Sequence, residues 1–64
     1  MYILKIKGVD KMPDFIQIRD QDFTLVAYFR ADNPAKGADI IKIMNAVQLS
    51  AVIRELPYGK IREL

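Results

Sequence analysis

Tyr2, Leu4 and Ile6 alternate with Ile3, Lys5 and Lys7 along the first residues of the sequence. That two-residue period predicts a half-buried β-strand, with the apolar set Tyr2, Leu4 and Ile6 turned inward. Gly8, Asp10 and Pro13 then mark a loop. Phe15–Arg19 alternates again, Ile16 and Ile18 against Phe15, Gln17 and Arg19. After the polar break Arg19-Asp20-Gln21-Asp22, Phe23–Arg30 separates Phe23, Leu25, Ala27 and Phe29 from Thr24, Val26, Tyr28 and Arg30. A turn at Asp20-Gln21 would set Ile18 opposite Phe23 and Ile16 opposite Leu25. The usual glycine is missing there, so a longer loop is the alternative.

Residues 31–44 admit two readings. Asn33 followed by Pro34 has the grammar of a helix start, but Gly37 would then lie inside the helix, at a cost of about 1 kcal/mol relative to Ala. The other reading makes Asn33–Gly37 a turn and Asp39–Ile43 a fourth strand rich in β-branched residues. The pattern of residues 45–56 favours the second. Asn45 has Gln48 three residues on, close to a capping box. Leu49, Val52, Ile53 and Leu56 then occupy i, i+3, i+4 and i+7, the stripe of one helix face. Apolar residues before position 47 do not continue that stripe. Pro57 and Gly59 end the helix, leaving Lys60–Leu64 as a short fifth strand or tail. Ile-Arg-Glu-Leu occurs at 53–56 and again at 61–64. The first copy is expected to be helical and the second extended, with a hairpin of the two as the lesser alternative.

The expected architecture is a two-layer α+β domain spanning residues 1–64. It consists of a four-stranded antiparallel β-meander with one C-terminal helix packed on one face and a short fifth strand. Leu49, Val52, Ile53 and Leu56 would cover Tyr2, Leu4, Ile6, Ile16, Ile18, Phe23, Leu25 and Phe29.

Composition narrows the function. The chain is 52% hydrophobic, enough for a folded domain, and its ten basic and eight acidic side chains leave a net charge of only +2. It has no Cys and no His, which argues against a disulfide framework, a structural zinc site or an activated nucleophile. The sole Ser and Thr, Ser50 and Thr24, have no base to activate them. Asp20 and Asp22 bracket a turn without the further ligands of a calcium loop. No catalytic residue, metal, cofactor or small-molecule substrate is expected. A signal peptide and a membrane span are likewise not expected, which points to a cytoplasmic protein.

Strand parity places a basic, aromatic-containing set on the sheet face away from the helix: Lys5, Lys7, Phe15, Arg19, Val26, Tyr28, Arg30 and, through the fourth strand, Lys42. Ile3, Gln17, Thr24 and Ile40 complete that face. Apolar residues within it suit a protein partner, either a second copy forming a homodimer or a larger protein docked on the open face or an edge strand. The alternative is single-stranded nucleic acid, with Phe15 and Tyr28 stacking on bases and the cations meeting phosphates. Outward Lys and Arg also serve solubility alone. Tyr58, in Pro57-Tyr58-Gly59, reads as a turn residue packed over the helix end and as a secondary contact candidate.

Overall fold

A computed structural model describes residues 1–64. The fold is α+β. Its strands are β1 (Tyr2–Ile6), β2 (Phe15–Arg19), β3 (Leu25–Arg30) and β4 (Ile61–Glu63), and its helices are α1 (Pro34–Ile41) and α2 (Ala46–Glu55). The sheet runs β3-β2-β1-β4 with every neighbouring pair antiparallel. The strand next to β1 is therefore the last in sequence, and the expected meander of four consecutive strands is replaced by three strands plus this late addition. The second Ile-Arg-Glu-Leu copy is extended in β4, and the first is helical through Glu55, with Leu56 as C-cap.

Two helices stand where one was expected, because residues 34–41 are helical and not a strand. Pro34, Gly37, Ala38 and Ile41 fall at i, i+3, i+4 and i+7, and all four are buried or half-buried. Gly37 is required by its neighbour: a Cβ there would overlap the Phe29 ring. Close helix–strand approach thus outweighs the propensity penalty. Lys42, in the left-handed conformation at φ 57°, ends α1 by donating its N–H to the Ala38 carbonyl. The change of stripe near position 45 marks a break between helices. α2 begins as its sequence suggests, with the Asn45 side chain accepting from Gln48 N–H and the Gln48 side chain accepting from Asn45 N–H.

Nine buried residues form one cluster: Ile3, Ile16, Ile18, Ala27 and Phe29 from the strands, and Ile41, Leu49, Ile53 and Leu56 from the helical region. Directly opposed residues of antiparallel strands point to the same side, so Ile3–Ile18–Ala27 and Ile16–Phe29 define a core side. Lys5 opposes Ile16 and shares that side. Tyr2, Leu4 and Ile6 oppose Arg19, Gln17 and Phe15 and belong to the other side. This reverses the expected facing of β1. Alternation defines two sets of side chains without saying which set faces the core, and the register with β2 decides it.

The β2–β3 connection takes the longer-loop alternative, and its register differs from that of an Asp20-Gln21 turn. Ile18 opposes Ala27 and Ile16 opposes Phe29, with an irregularity that sets Arg19 against Leu25. The turn is longer than Asp20-Gln21 because Asp20 organises it. Its carboxylate accepts from the N–H groups of Asp22 and Thr24 at 2.9 Å each. Phe23 is consequently outside β3 and outside the core, as is Leu25.

Candidate functional site: the outer face of the sheet

Three rows of side chains cross the side of the sheet opposite the core. Arg19, Tyr2 and Glu63 form the first, Tyr28, Gln17, Leu4 and Ile61 the second, and Arg30, Phe15 and Ile6 the third. Val26 joins them by parity with Tyr28. Tyr28 and Ile61 are 48% and 55% exposed, too open for core residues and too apolar for ordinary solvated positions. Phe15 and Tyr28 stack with ring centroids 4.9 Å apart and planes within 7°. Each ring fixes the other, which lowers the entropy lost if either contacts a ligand.

At one end of the face, Phe23 adopts φ 64°, a conformation that a bulky side chain rarely takes. Its backbone is held there on two sides: its N–H donates to the Asp20 carbonyl at 3.0 Å, and its carbonyl accepts from Arg19 Nη1 at 3.0 Å. The ring is 44% exposed, lies 4.8 Å from the Arg19 guanidinium carbon and meets the Tyr2 ring at 6.0 Å. A strained aromatic kept at the surface is a feature found where side chains are positioned for use. At the other end a cavity of about 140 Å³ opens among Ile6, Val9, Met12, Phe15 and Tyr28.

Five of the eight residues expected on this face share it: Phe15, Arg19, Val26, Tyr28 and Arg30. Three do not. Lys5 points to the core side by the register of β1, Lys7 lies past the end of β1 beside the cavity and the Tyr58 ring, and Lys42 caps α1. Ile40 is in α1 and Ile3 is in the core. Sequence reasoning missed Tyr2, Leu4, Ile6, Ile61, Glu63 and Phe23. The β1 residues carried a signal, an apolar set on one side of a strand, but were assigned to the wrong side.

Lys5 has a structural role. Its ammonium donates at 3.1 Å to the Ile53 carbonyl in the last turn of α2, which also accepts the Leu56 N–H, and lies 4.8 Å from the centre of the Tyr58 ring. Lys7 Nζ approaches the same ring at 5.7 Å. Tyr58 therefore sits among lysines and not simply over a helix end. Its hydroxyl donates to Asp14 Oδ2 at 2.7 Å, while Asp14 Oδ1 accepts from Gly8 N–H at 2.8 Å. These contacts fasten the β1–β2 loop to the segment preceding β4.

The Gly8 N–H, then the Tyr58 hydroxyl, with Lys5 and Lys7 contributing less, hold the Asp14 carboxyl below the usual carboxylate range. The same hydrogen bond raises the Tyr58 phenol above its ordinary value. The two signs define opposite limits. Stability from Asp14 is present above the ordinary carboxylate value of about 3.9 and is lost as pH falls through the lowered one. Stability from Tyr58 is present below about pH 10 and is lost as pH rises through the raised value. Thermal midpoints across this range should therefore fall at both ends. Asp14→Asn should flatten the acid limb and Tyr58→Phe the alkaline limb; unchanged limbs would show that the contact does not form in solution.

The cations left on the outer face are partly neutralised. Arg30 pairs with Asp32 through two bonds of 3.1 and 2.8 Å, the sole ion pair of the chain. Glu63 adds a negative charge to the face. No group of three or more His, Cys, Asp or Glu is placed to hold a metal, and no helix is long and apolar enough to cross a membrane. Comparison with protein-family models, curated proteins and solved structures yields no match.

Proposed function

We propose that the chain is a cytoplasmic, non-catalytic protein-binding module, a two-layer domain whose helices cover the core side of the sheet and whose outer side docks a protein partner. The observation that carries this reading is the facing of β1. The apolar set Tyr2, Leu4 and Ile6 lies on the side away from the core, while Lys5 takes the core side. A strand with water on one face normally does the reverse. The sheet is thus patterned for apolar contact on both faces. Exposed Tyr28, Ile61 and Phe23, with the Phe15–Tyr28 stack, extend the patch across all four strands and the β2–β3 turn. Aromatic residues fixed by their neighbours are the common anchors of protein interfaces.

This reading ranks above single-stranded nucleic-acid binding. Lys5 and Lys42 lie off the face, Lys7 stands past the end of β1 against Tyr58, Arg30 is paired and Glu63 is acidic, so little clustered positive charge remains to meet phosphates. The test is a photo-reactive side chain at position 28, compared with one at position 47 on α2, where Val47 is 79% exposed. Discrete protein adducts are expected from position 28 and none from 47. No adduct at 28, or equal adducts at both, would overturn the reading. Salt-sensitive amide shifts at Arg19, Tyr28 and Arg30 on adding a short mixed oligonucleotide would favour nucleic acid instead.

A further inference from the structure

We infer that the partner on this face is a second copy of the chain, related by a twofold axis lying along β1, with Arg19 of each copy paired to Glu63 of the other. The inference rests on the proposed docking role and adds the occupant and its register.

The charges of the first row carry it. Arg19, Tyr2 and Glu63 lie side by side on β2, β1 and β4. Neighbouring strands are about 4.8 Å apart, so the cation and the anion flank Tyr2 at equal offsets. A twofold axis along β1 in the plane of contact exchanges the two flanking strands. It brings Arg19 of one copy over Glu63 of the second, and by the same operation Glu63 over Arg19. Tyr2, Leu4 and Ile6 fall along the axis and meet their own counterparts. A face that is basic on one flank, acidic on the other and apolar between them is self-complementary under this operation, as an isologous contact requires.

Both partners have unused bonding capacity. Arg19 Nη1 donates to the Phe23 carbonyl and Nη2 to Gln17 Oε1, each at 3.0 Å, while Nε is enclosed without a partner. Of the five guanidinium donors, two N–H groups on the terminal nitrogens remain, enough for a carboxylate. The guanidinium is also fixed in place before the partner arrives. Glu63 forms no ion pair within the chain. A chain of this length buries only about 60% of its unfolded surface, so a second apolar layer would supply core that it lacks alone.

Charge reversal tests the register. Arg19→Glu creates two like-charge contacts in the dimer, and so does Glu63→Arg. Each is expected to weaken self-association about a hundredfold, roughly tenfold per contact. Mixing the two variants restores opposite charges at both contacts, so sedimentation equilibrium should find a dimer in the mixture and monomers in each variant alone. Circular dichroism verifies folding. Glu63→Arg, on an exposed edge strand, carries the test if Arg19→Glu does not fold, and must dissociate by itself. A wild-type chain that is monomeric at millimolar concentration overturns the inference; adducts from position 28 to another protein would then leave the docking role standing. A wild-type dimer that survives both reversals but is broken by Leu4→Asp overturns the twofold and keeps the face. A dimer that survives all three overturns both.

Discussion

Phe29→Ala is expected to leave the chain largely unfolded at room temperature. Phe29 is 2% exposed and lies at the junction of β3 and α1, its ring filling the space left by Gly37. Truncating a buried Phe costs about 3–5 kcal/mol. A 64-residue chain has roughly 3–10 kcal/mol of stability in total, so the loss takes most of it. The complementary change acts on the same contact from the other side. Gly37→Ala gains about 1 kcal/mol of helix propensity. Against that, it forces a methyl into a closed ring contact, and overpacking costs about 1–3 kcal/mol. The net effect should be destabilising. Combining Gly37→Ala with Phe29→Leu should recover part of the loss, because a smaller side chain admits the added methyl. Urea midpoints would show this as non-additivity. A stabilising Gly37→Ala would mean that α1 does not pack closely on Phe29.

Ile3→Asp should abolish folding, whereas Leu4→Asp should leave the fold intact. The two residues are neighbours on β1, and only facing separates them. Ile3 is fully buried among Ile18, Ala27 and the helices, so an aspartate there is an unpaired buried charge. That class of defect costs several kcal/mol or more. Leu4 is half-buried on the outer side, and its replacement should cost within the common range of about 0.5–3 kcal/mol. Helical circular dichroism retained by Leu4→Asp and lost by Ile3→Asp is the expected outcome. The opposite pair of results would restore the facing suggested by alternation alone.

That pair also marks where the sequence was legible. α2 could be read in full because its apolar stripe uses large residues and Asn45 and Gln48 form its cap. Ile16 and Ile18 could be placed because β2 carries apolar residues on one side and mostly polar ones on the other. Parity in β2 and β3 likewise sufficed to bring Phe15, Arg19, Val26, Tyr28 and Arg30 to one face. β1 was ambiguous at its root, because Lys5 can stretch an aliphatic stem across the core side and deliver its ammonium to the Ile53 carbonyl. Its charge resembled a solvent-facing position although its stem packs inward.

The helical reading of α1, signalled by Asn33-Pro34, ranked below a strand because Pro34, Gly37 and Ala38 occupy three of its four inward positions. Small residues give almost no hydrophobic signal, and they are what a close helix–strand approach demands. The pairing of β4 with β1 is a contact between distant parts of the chain, which no local pattern encodes. Glu63 was therefore missed as a member of the outer face. The displacement of Phe23 depends on hydrogen bonds from the backbone to Asp20, again outside the reach of periodicity.

Docking through the outer face of the sheet is tested by a two-dimensional amide NMR dilution series of the wild-type chain. Concentration-dependent shifts at Tyr2, Leu4, Gln17 and Ile61, with Leu49 and Ile53 unmoved, are the expected result. Shifts centred on α1 and α2, or none up to the solubility limit together with no adduct from position 28, would contradict it.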